Sequence, residues 1–327
     1  MSSNSSDAPP QGGMLPLRVI AKTCIATDVF LFELAHRDGT PLPAFSGGAH
    51  VTVLTPNGLT RRYSLCNDPA QSDRYLLAVK REHQGQGGSA SMIDQVQSGD
   101  ELLSTAPRND FALDHDASSH LLIAGGIGIT PILSMVRELQ ARGADFQMIY
   151  LTRSAAFTAF RAQLQSPELA GRVLLHHDEG DLSRALDLSP WLAQPREGLH
   201  VYCCGPRGLM HSVHEQTRHW PHGSVHFEDF GTSAPPEALQ DRPFTVKLAR
   251  SGVTVAVPAG ISILEALRRE GIAVPSSCES GTCGTCRTGL LAGAAEHRDY
   301  VLGEDEQESE IMICVSRAVS PQLELDL

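Results

Sequence analysis

Short runs of β-branched and aromatic residues recur along the first third of the chain, between Leu15 and about Asp114. These runs lie at 29–32, 50–54, 62–65 and 75–79, and a single helical pattern, at 89–96, interrupts them. Many short strands with few helices are typical of a small antiparallel β-barrel.

The periodicity changes at about His120. A continuous apolar run at 120–124 predicts a buried strand, the glycine-rich stretch 125–131 predicts a turn, and 132–141 has the 3.6-residue period of a helix. Strand and helix candidates then alternate at 146–151, 160–164, 173–176, 200–204 and 209–217. Such alternation predicts a parallel sheet covered by helices.

The last part of the chain predicts a small α+β unit. Two alternating runs at 244–248 and 253–257 favour a hairpin, and Ser262 and Glu265 have the spacing of a capping box that opens a helix to about Glu270. A return strand carrying Cys314 is expected to complete the unit. The predicted organisation is a flexible start at 1–13, a barrel domain at 14–116, an α/β domain at 117–230, a linker at 231–243 and the α+β domain at 244–327.

Composition places the chain among ordinary globular proteins. It has 327 residues, 41% hydrophobic, and a formal net charge of −12. That charge argues against nucleic acid or an anionic membrane as the main partner and favours a partner with a basic surface. Residues 236–327 hold fourteen acidic and eight basic side chains, with a dense acidic run at 304–310 that a solvated helix would explain equally well.

Cysteine spacing supplies the strongest chemical signal. Cys278, Cys283 and Cys286 form C-x4-C-x2-C, and Cys314 is a distant fourth, which is the spacing of a plant-type [2Fe–2S] cluster. Gly281 and Gly284 allow backbone conformations that turn amide N–H groups towards the cluster's sulfurs. Zinc is the main competitor, but zinc sites more usually show two C-x2-C pairs or added histidines. Unreactive buried cysteines would not explain three within nine residues.

The other four cysteines are scattered or adjacent, and the start of the chain lacks the apolar core of a signal peptide. The most apolar window, 121–136, is too short for a membrane span and contains glycines and a proline. We therefore expect a cytoplasmic protein.

Two further motifs favour a flavin and a nucleotide. Arg61-Arg62-Tyr63-Ser64 has the form R-x-Y-S on a barrel strand, although a core tyrosine on an amphipathic strand would look the same. Val79-Lys80-Arg81 and Gly87-Gly88-Ser89 offer cations and a helix start suited to an anion.

Gly125-Gly126-Ile127-Gly128 lies where a strand turns into a helix, and Cys203-Cys204-Gly205-Pro206 ends another strand at the same sheet edge, where open α/β sheets bind ligands. A bare glycine-rich turn is the alternative there.

Together these motifs resemble the phthalate dioxygenase reductase family of the ferredoxin–NADP reductase superfamily. The resemblance covers nearly the whole chain, including His226-Phe227-Glu228-Asp229-Phe230 and the order barrel, nucleotide domain, ferredoxin. It implies an antiparallel flavin barrel, an α/β nucleotide domain and a C-terminal β-grasp ferredoxin. It also implies FMN, which the residues alone would not favour over FAD, and NADH as the substrate.

The resemblance also implies site residues. Ser64, Thr130, Cys204 and Glu228 are the expected catalytic residues, and Cys278, Cys283, Cys286 and Cys314 are the expected cluster ligands. The residues expected to bind FMN or the nucleotide are Arg61, Arg62, Tyr63, Ser64, Leu65, Val79, Lys80, Arg81, Gly87, Gly88, Ser89, Gly125, Gly126, Gly128, Thr130, Arg153, Cys204, Gly205, Pro206 and Phe230. Arg153 stands where an acidic residue would hold an NADH ribose, so NADPH is not excluded by the residues.

The functional hypothesis follows from electron counting. NADH gives two electrons as a hydride, a [2Fe–2S] cluster accepts one at a time, and a flavin converts between the two. The family implies delivery to a partner Rieske oxygenase that acts on an aromatic acid, with a monomeric reductase docking near the cluster. Two alternatives are a free-standing NADH-dependent flavin or quinone reductase and an iron–sulfur redox sensor or carrier without turnover.

Overall fold

The computed structural model describes residues 13–230 and 241–327. The chain divides into an N-terminal unit, Met1–Trp220, and a C-terminal unit, Pro221–Leu327. The predicted flexible start and most of the predicted linker lie outside the described residues.

The N-terminal unit begins with an antiparallel sheet. Its elements are β1 (Leu15–Ala26), β2 (Val29–His36), β3 (His50–Leu54), β4 (Thr60–Ser64), β5 (Tyr75–Lys80), α1 (Gly88–Gln95) and β6 (Glu101–Ser104). The strand order is β4-β3-β6-β1-β2-β5. An antiparallel bridge between Leu65 and Leu77, just beyond β4 and within β5, brings the two outer strands together. The sheet therefore closes as a barrel around buried residues such as Val51, Val53 and Tyr75.

A parallel sheet follows in the same unit. Its elements are β7 (Ser119–Gly125), α2 (Ile129–Arg142), β8 (Asp145–Thr152), α3 (Arg161–Leu164), β9 (Val173–His177), α4 (Ser189–Leu192), β10 (Leu199–Cys204) and α5 (Arg207–Thr217). Within this unit the strands run in the order β10-β7-β8-β9 and pair in parallel. One buried cluster joins barrel residues Cys66 and Phe111 to Leu122 and Tyr202 of the sheet, so the two predicted folds share a continuous core.

The C-terminal unit is a mixed sheet with one longer helix. Its elements are β11 (Val225–Glu228), β12 (Phe244–Leu248), β13 (Thr254–Val257), α6 (Ile263–Arg269), β14 (Arg287–Ala292), β15 (Ala295–Glu296), α7 (Glu304–Gln307), β16 (Glu310–Met312), β17 (Arg317–Ala318) and β18 (Gln322–Leu325). The sheet order is β13-β12-β18-β14-β16, with β12 and β18 parallel. Helix α6 buries Ile263, Leu264 and Leu267 against it. The predicted hairpin is the antiparallel β12–β13 pair, and the Oγ of Ser262 caps α6 by accepting from the N–H of Glu265 at 3.1 Å.

Three local predictions need correction. The helix after the glycine turn begins at Ile129 rather than at 132, because Pro131 lies in the first turn, where its missing N–H costs no hydrogen bond. Cys314 lies two residues beyond β16 and is not on a strand. The 231–243 linker extends too far: the Asp241 side chain is 4% exposed and ion-paired with Arg298 and Arg317.

The acidic run at 304–310 is less exposed than its sequence indicates. Glu306 contacts the Arg287 guanidinium at 2.8 Å and His222 at 2.7 Å, and Glu310 also pairs with Arg287. Glu304, Asp305 and Glu308 remain exposed. No helix among the described residues is long and apolar enough to cross a membrane.

Candidate electron-transfer site

Strand β4 holds Arg61 and Tyr63 on the face that looks into the barrel. The register pairs Val53 with Arg61 and Val51 with Tyr63, and both valines are fully buried. Tyr63 packs against the barrel core, and its hydroxyl is buried without a hydrogen-bond partner among the described residues. Burial raises the pKa of Tyr63 to about 12, although the positive charge of Arg61 acts to lower it. The hydroxyl is therefore a neutral donor without a hydrogen-bond partner in the described part of the chain.

Arg61 lies over the start of α1. Its Nη2 donates to Oε1 of Gln86 at 2.6 Å, and a Cβ on Gly88 would lie 2.8 Å from its Nε. Gly87 precedes the helix with φ 86°, a left-handed conformation that favours glycine. The structure thus brings Arg61 together with Gly87 and Gly88, as the motifs predict. A cation and the first backbone amides of a helix lie close to each other there.

Arg81 and Ser89 are engaged within the protein. Arg81 forms two hydrogen bonds to the Asp94 carboxylate, one of them at 3.0 Å, and this contact raises the pKa of Arg81 and lowers that of Asp94. The Oγ of Ser89 accepts from the N–H of Glu82 at 2.9 Å. Through these contacts, Arg81 and Ser89 connect α1 to the segment that follows β5, a role that the motif did not indicate.

The other residues expected at the flavin fall into two groups. Ser64, Leu65 and Val79 are buried, with Ser64 paired across the sheet to His50. Arg62 and Lys80 are exposed. In the C-terminal unit, Glu228 ends β11 and Phe230 is 37% exposed.

The glycine turn and the C-G-P segment meet backbone to backbone. Strands β7 and β10 are parallel neighbours, with Ala124 beside Cys204. A Cβ on Gly128 would lie 2.1 Å from the carbonyl oxygen of Cys204, and one on Gly125 would lie 2.6 Å from Cδ of Pro206. Only glycine therefore allows this approach, and the predicted nucleotide residues Gly125, Gly126, Gly128, Thr130, Cys204, Gly205 and Pro206 are brought to one sheet edge.

Contacts around this edge include one that the sequence did not signal. The Tyr150 hydroxyl, from β8, donates to the carbonyl of Gly126 at 3.0 Å. From the sequence, a tyrosine within an apolar strand would be interpreted only as a core residue. The Thr130 hydroxyl donates to Ile127 at 3.0 Å and is used within the turn. Arg153 lies over the Phe157 ring, 5.2 Å from its centroid.

The four predicted ligand cysteines lie as two pairs. The N–H of Cys278 points at Sγ of Cys283 at 3.4 Å, and the thiols of Cys278 and Cys283 share a hydrogen bond that lowers the pKa of Cys278 and raises that of Cys283. Cys286 and Cys314 form the second pair, which lowers the pKa of Cys286 and raises that of Cys314. Within residues 13–230 and 241–327, no three His, Cys, Asp or Glu side chains converge on a single metal ion.

Backbone amides line the loop. The N–H groups of Ser280 and Thr282 approach Sγ of Cys278 at 3.4 and 3.5 Å. Gly281 and Gly284 have φ of 77° and 81°, as the sequence predicts for a loop that turns its amides inward. Thiol pairs with amide donors fit the chemistry of a two-iron cluster, in which each iron takes two protein sulfurs.

Comparison with known proteins adds to this geometry. Residues 246–319 match the model of the 2Fe-2S iron-sulfur cluster binding domain, and residues 100–222 match the N-terminal domain of DmmA-like subunits of dimethylamine monooxygenase. The chain is 53% identical over 324 residues to the phthalate 4,5-dioxygenase oxygenase reductase subunit of Pseudomonas putida, covering 99% of this chain and 100% of that protein. It is 50% identical to phthalate dioxygenase reductase of Burkholderia cepacia, covering 98% and 99%. The chain belongs to the phthalate dioxygenase reductase family.

A solved structure of a family member agrees with the assignment. It is described as phthalate dioxygenase reductase, a modular structure for electron transfer from pyridine nucleotides to [2Fe-2S], and it matches 96% of this chain and 98% of its own with a TM-score of 0.69 and 51% identity. Membership confirms the predicted fold class, the NADH-dependent oxidoreductase activity and the cofactors FMN and [2Fe–2S]. The chain is the reductase component of an oxygenase system.

Proposed function

We propose that the chain takes a hydride from NADH at the barrel and passes single electrons through its cluster to a Rieske-type oxygenase that dihydroxylates or demethylates an aromatic acid. When bound, FMN accepts electrons in a pair and releases them singly to the [2Fe–2S] cluster. The observation that carries this proposal is the coexistence, in one chain, of paired thiols at ligand spacing and a barrel whose buried Tyr63 hydroxyl has no hydrogen-bond partner among residues 13–230 and 241–327.

The barrel residues would bind and orient the flavin. Arg61, with the start of α1 at Gly87 and Gly88, would hold the phosphate, because a guanidinium and helix-start amides together suit an anion. The Tyr63 hydroxyl would donate to a polar atom of the flavin, and Ser64, at the end of β4, would hydrogen-bond flavin N5. Glu228 and Phe230 remain predictions of the family resemblance.

The sheet edge would bind the nucleotide. Gly126 and Gly128 would let the pyrophosphate approach the start of α2, while Thr130 and Cys204 would position the nicotinamide. Arg153 stacks on Phe157, and its cation would approach the nucleotide ribose, which is expected near the loop after β8. NADH remains the proposed donor because the family uses it.

The proposed partner docks on the acidic surface of the C-terminal unit. Glu304, Asp305 and Glu308 are exposed near the cluster-bearing sheet and would meet a basic oxygenase surface. We propose a monomer in the cytoplasm, where NADH is supplied and where Cys24, Cys66, Cys203 and Cys204, outside the proposed cluster, would stay reduced.

Replacing Ser64 tests the barrel site directly. Ser64→Ala removes the proposed hydrogen bond to N5, so flavin reduction by NADH should slow about tenfold to a hundredfold in stopped-flow measurements, within the range of general hydrogen-bonding effects in catalysis. The visible spectrum of the cluster should not change. The matched control is Ser104→Ala, a buried barrel serine whose hydroxyl donates to the Thr105 carbonyl. Equal flavin-reduction rates in Ser64→Ala and the wild type would remove Ser64 from this role.

A further inference from the structure

Arg268 ties helix α6 to the cysteine loop. Its Nη2 donates to Oε1 of Glu279 at 2.5 Å and to Oγ of Ser276 at 2.6 Å. The Ser276 hydroxyl donates to the same Glu279 oxygen at 3.0 Å. We call Arg268, Ser276 and Glu279 the α6 latch. Its carboxylate comes from the residue that directly follows the ligand Cys278.

Glu279 is held in an unusual backbone conformation. Its φ is +56°, in the left-handed region, which side chains with a Cβ rarely adopt, and only Asp28, Phe160 and Glu179 share a positive φ among the described non-glycine residues. In this conformation the next amide, that of Ser280, points at Sγ of Cys278. The latch therefore holds the residue whose backbone aims an N–H group at a ligand sulfur.

The latch also brings two opposite charges to the loop. The hydrogen bond to Glu279 raises the pKa of Arg268. The Arg268 guanidinium thus lies 2.5 Å from the carboxylate of the residue next to the ligand Cys278. Both side chains are about one-third exposed, at 36% and 33%, so water screens part of each charge.

We propose that Arg268 and Glu279 are positioning residues that hold the cysteine loop in its ligating conformation and tune the cluster's reduction potential with opposite signs. Reduction adds one negative charge to the cluster, so a nearby cation favours the reduced form and a nearby carboxylate disfavours it. In the intact latch the two effects offset each other. The inference rests on the [2Fe–2S] assignment under the proposed function.

Neutralising each partner separately gives the decisive experiment. Arg268→Gln removes the cation beside the Glu279 carboxylate and should lower the cluster's midpoint potential, whereas Glu279→Gln removes the carboxylate and should raise it. Each change should alter the one-electron equilibrium about three- to tenfold, where tenfold corresponds to about 59 mV. The potentials are measured by redox titration of the full-length holoprotein, followed by EPR.

Two further variants separate charge from loop geometry. The double variant Arg268→Gln/Glu279→Gln should return the one-electron equilibrium constant to within about twofold of its wild-type value. It should nevertheless lose iron to a chelator faster, because the α6 latch is gone. Arg268→Lys keeps the cation and should keep the potential. The matched control is Arg269→Gln on the same helix, whose partner is Glu265 at 3.0 Å and which should leave the potential unchanged.

A purely structural latch predicts a different pattern. Potential shifts of the same sign in the two single variants, or shifts no larger than that of Arg269→Gln, would overturn the proposal. If Arg268→Gln does not assemble a cluster, Glu279→Gln and Arg268→Lys provide the test. The proposal is supported if Glu279→Gln raises the potential and Arg268→Lys leaves it unchanged. Any other result overturns it. A wild-type protein without the EPR signal of a reduced two-iron cluster would instead refute the cluster assignment itself.

Discussion

At the scale of single residues, the buried hydroxyl of Tyr63 is the main support for the proposed flavin site. A polar group that is removed from water without a partner costs about 1–3 kcal/mol. No described residue forms a hydrogen bond with this hydroxyl, and Arg61, two residues before it on the same strand, lies against Gly88 at the start of α1. A bound cofactor that accepts a hydrogen bond there would remove the cost, so the site is built for an occupant.

Replacing Tyr63 by phenylalanine should therefore separate binding from stability. Tyr63→Phe should weaken FMN binding about two- to tenfold, which corresponds to one hydrogen bond of about 0.5–1.5 kcal/mol. It should not lower the free energy of unfolding of the flavin-free protein, because the lost hydroxyl has no protein partner. FMN fluorescence titration and denaturant unfolding measure the two quantities.

Tyr75→Phe is the matched control. The Tyr75 hydroxyl donates to the Pro43 carbonyl at 2.6 Å, so its loss should destabilise the protein by about 1 kcal/mol and leave FMN binding unchanged. A Tyr63→Phe protein that binds FMN as tightly as wild type would show that the hydroxyl does not contact the cofactor.

Metal ligands at a strict sequence spacing could be predicted from the sequence, whereas ion pairs between distant residues could not. The spacing of Cys278, Cys283 and Cys286 reports ligation because one loop supplies three of the thiols. The ion pair of Arg81 with Asp94 and the buried contacts of Asp241 with Arg298 and Arg317 join positions 13, 57 and 76 residues apart. Such pairs depend on tertiary packing, which no local pattern encodes.

At the scale of elements, a close backbone approach between the glycine turn before α2 and β10 shapes the proposed nucleotide edge. The Gly128 backbone lies so near the Cys204 carbonyl that a Cβ would be 2.1 Å from its oxygen. The two segments can meet only if the turn lacks a side chain there. Strand periods and alternation predicted these elements well, but the start of α2 was missed, because proline interrupts a helical pattern in sequence and yet fits a first helical turn.

Gly128→Ala should test this approach. The added methyl must push the turn away from β10, which should destabilise the N-terminal unit by about 1–3 kcal/mol or more and weaken nucleotide binding. Denaturant unfolding and titration with a non-reducing nicotinamide nucleotide measure both effects.

Gly208→Ala provides the control within α5. A Cβ on Gly208 meets nothing within 4 Å, so this change should be neutral or stabilising by up to about 1 kcal/mol. If Gly128→Ala were as stable as Gly208→Ala, the backbone contact would not limit the site.

At the scale of the whole molecule, the chain joins a two-electron site and a one-electron site. The barrel and the parallel sheet share one core, so the proposed flavin residues of the barrel and the proposed nucleotide residues belong to one compact unit, whereas the cysteine loop has its own core in the C-terminal unit. The order of these parts could be predicted because each has a distinct period and motif. The sharing of a core could not, since it depends on which apolar faces meet.

The central claim is that electrons from NADH reach the cluster through the flavin of the same chain. The most direct measurement is anaerobic addition of NADH to the full-length protein, followed by visible absorption and EPR, with Cys283→Ser in parallel. The wild type should bleach its flavin absorption and develop the rhombic EPR signal of a reduced [2Fe–2S] cluster. Cys283→Ser should bleach the flavin without that signal and should fail to supply a partner oxygenase. A wild-type cluster that is reduced by dithionite but stays oxidised with NADH would contradict the account.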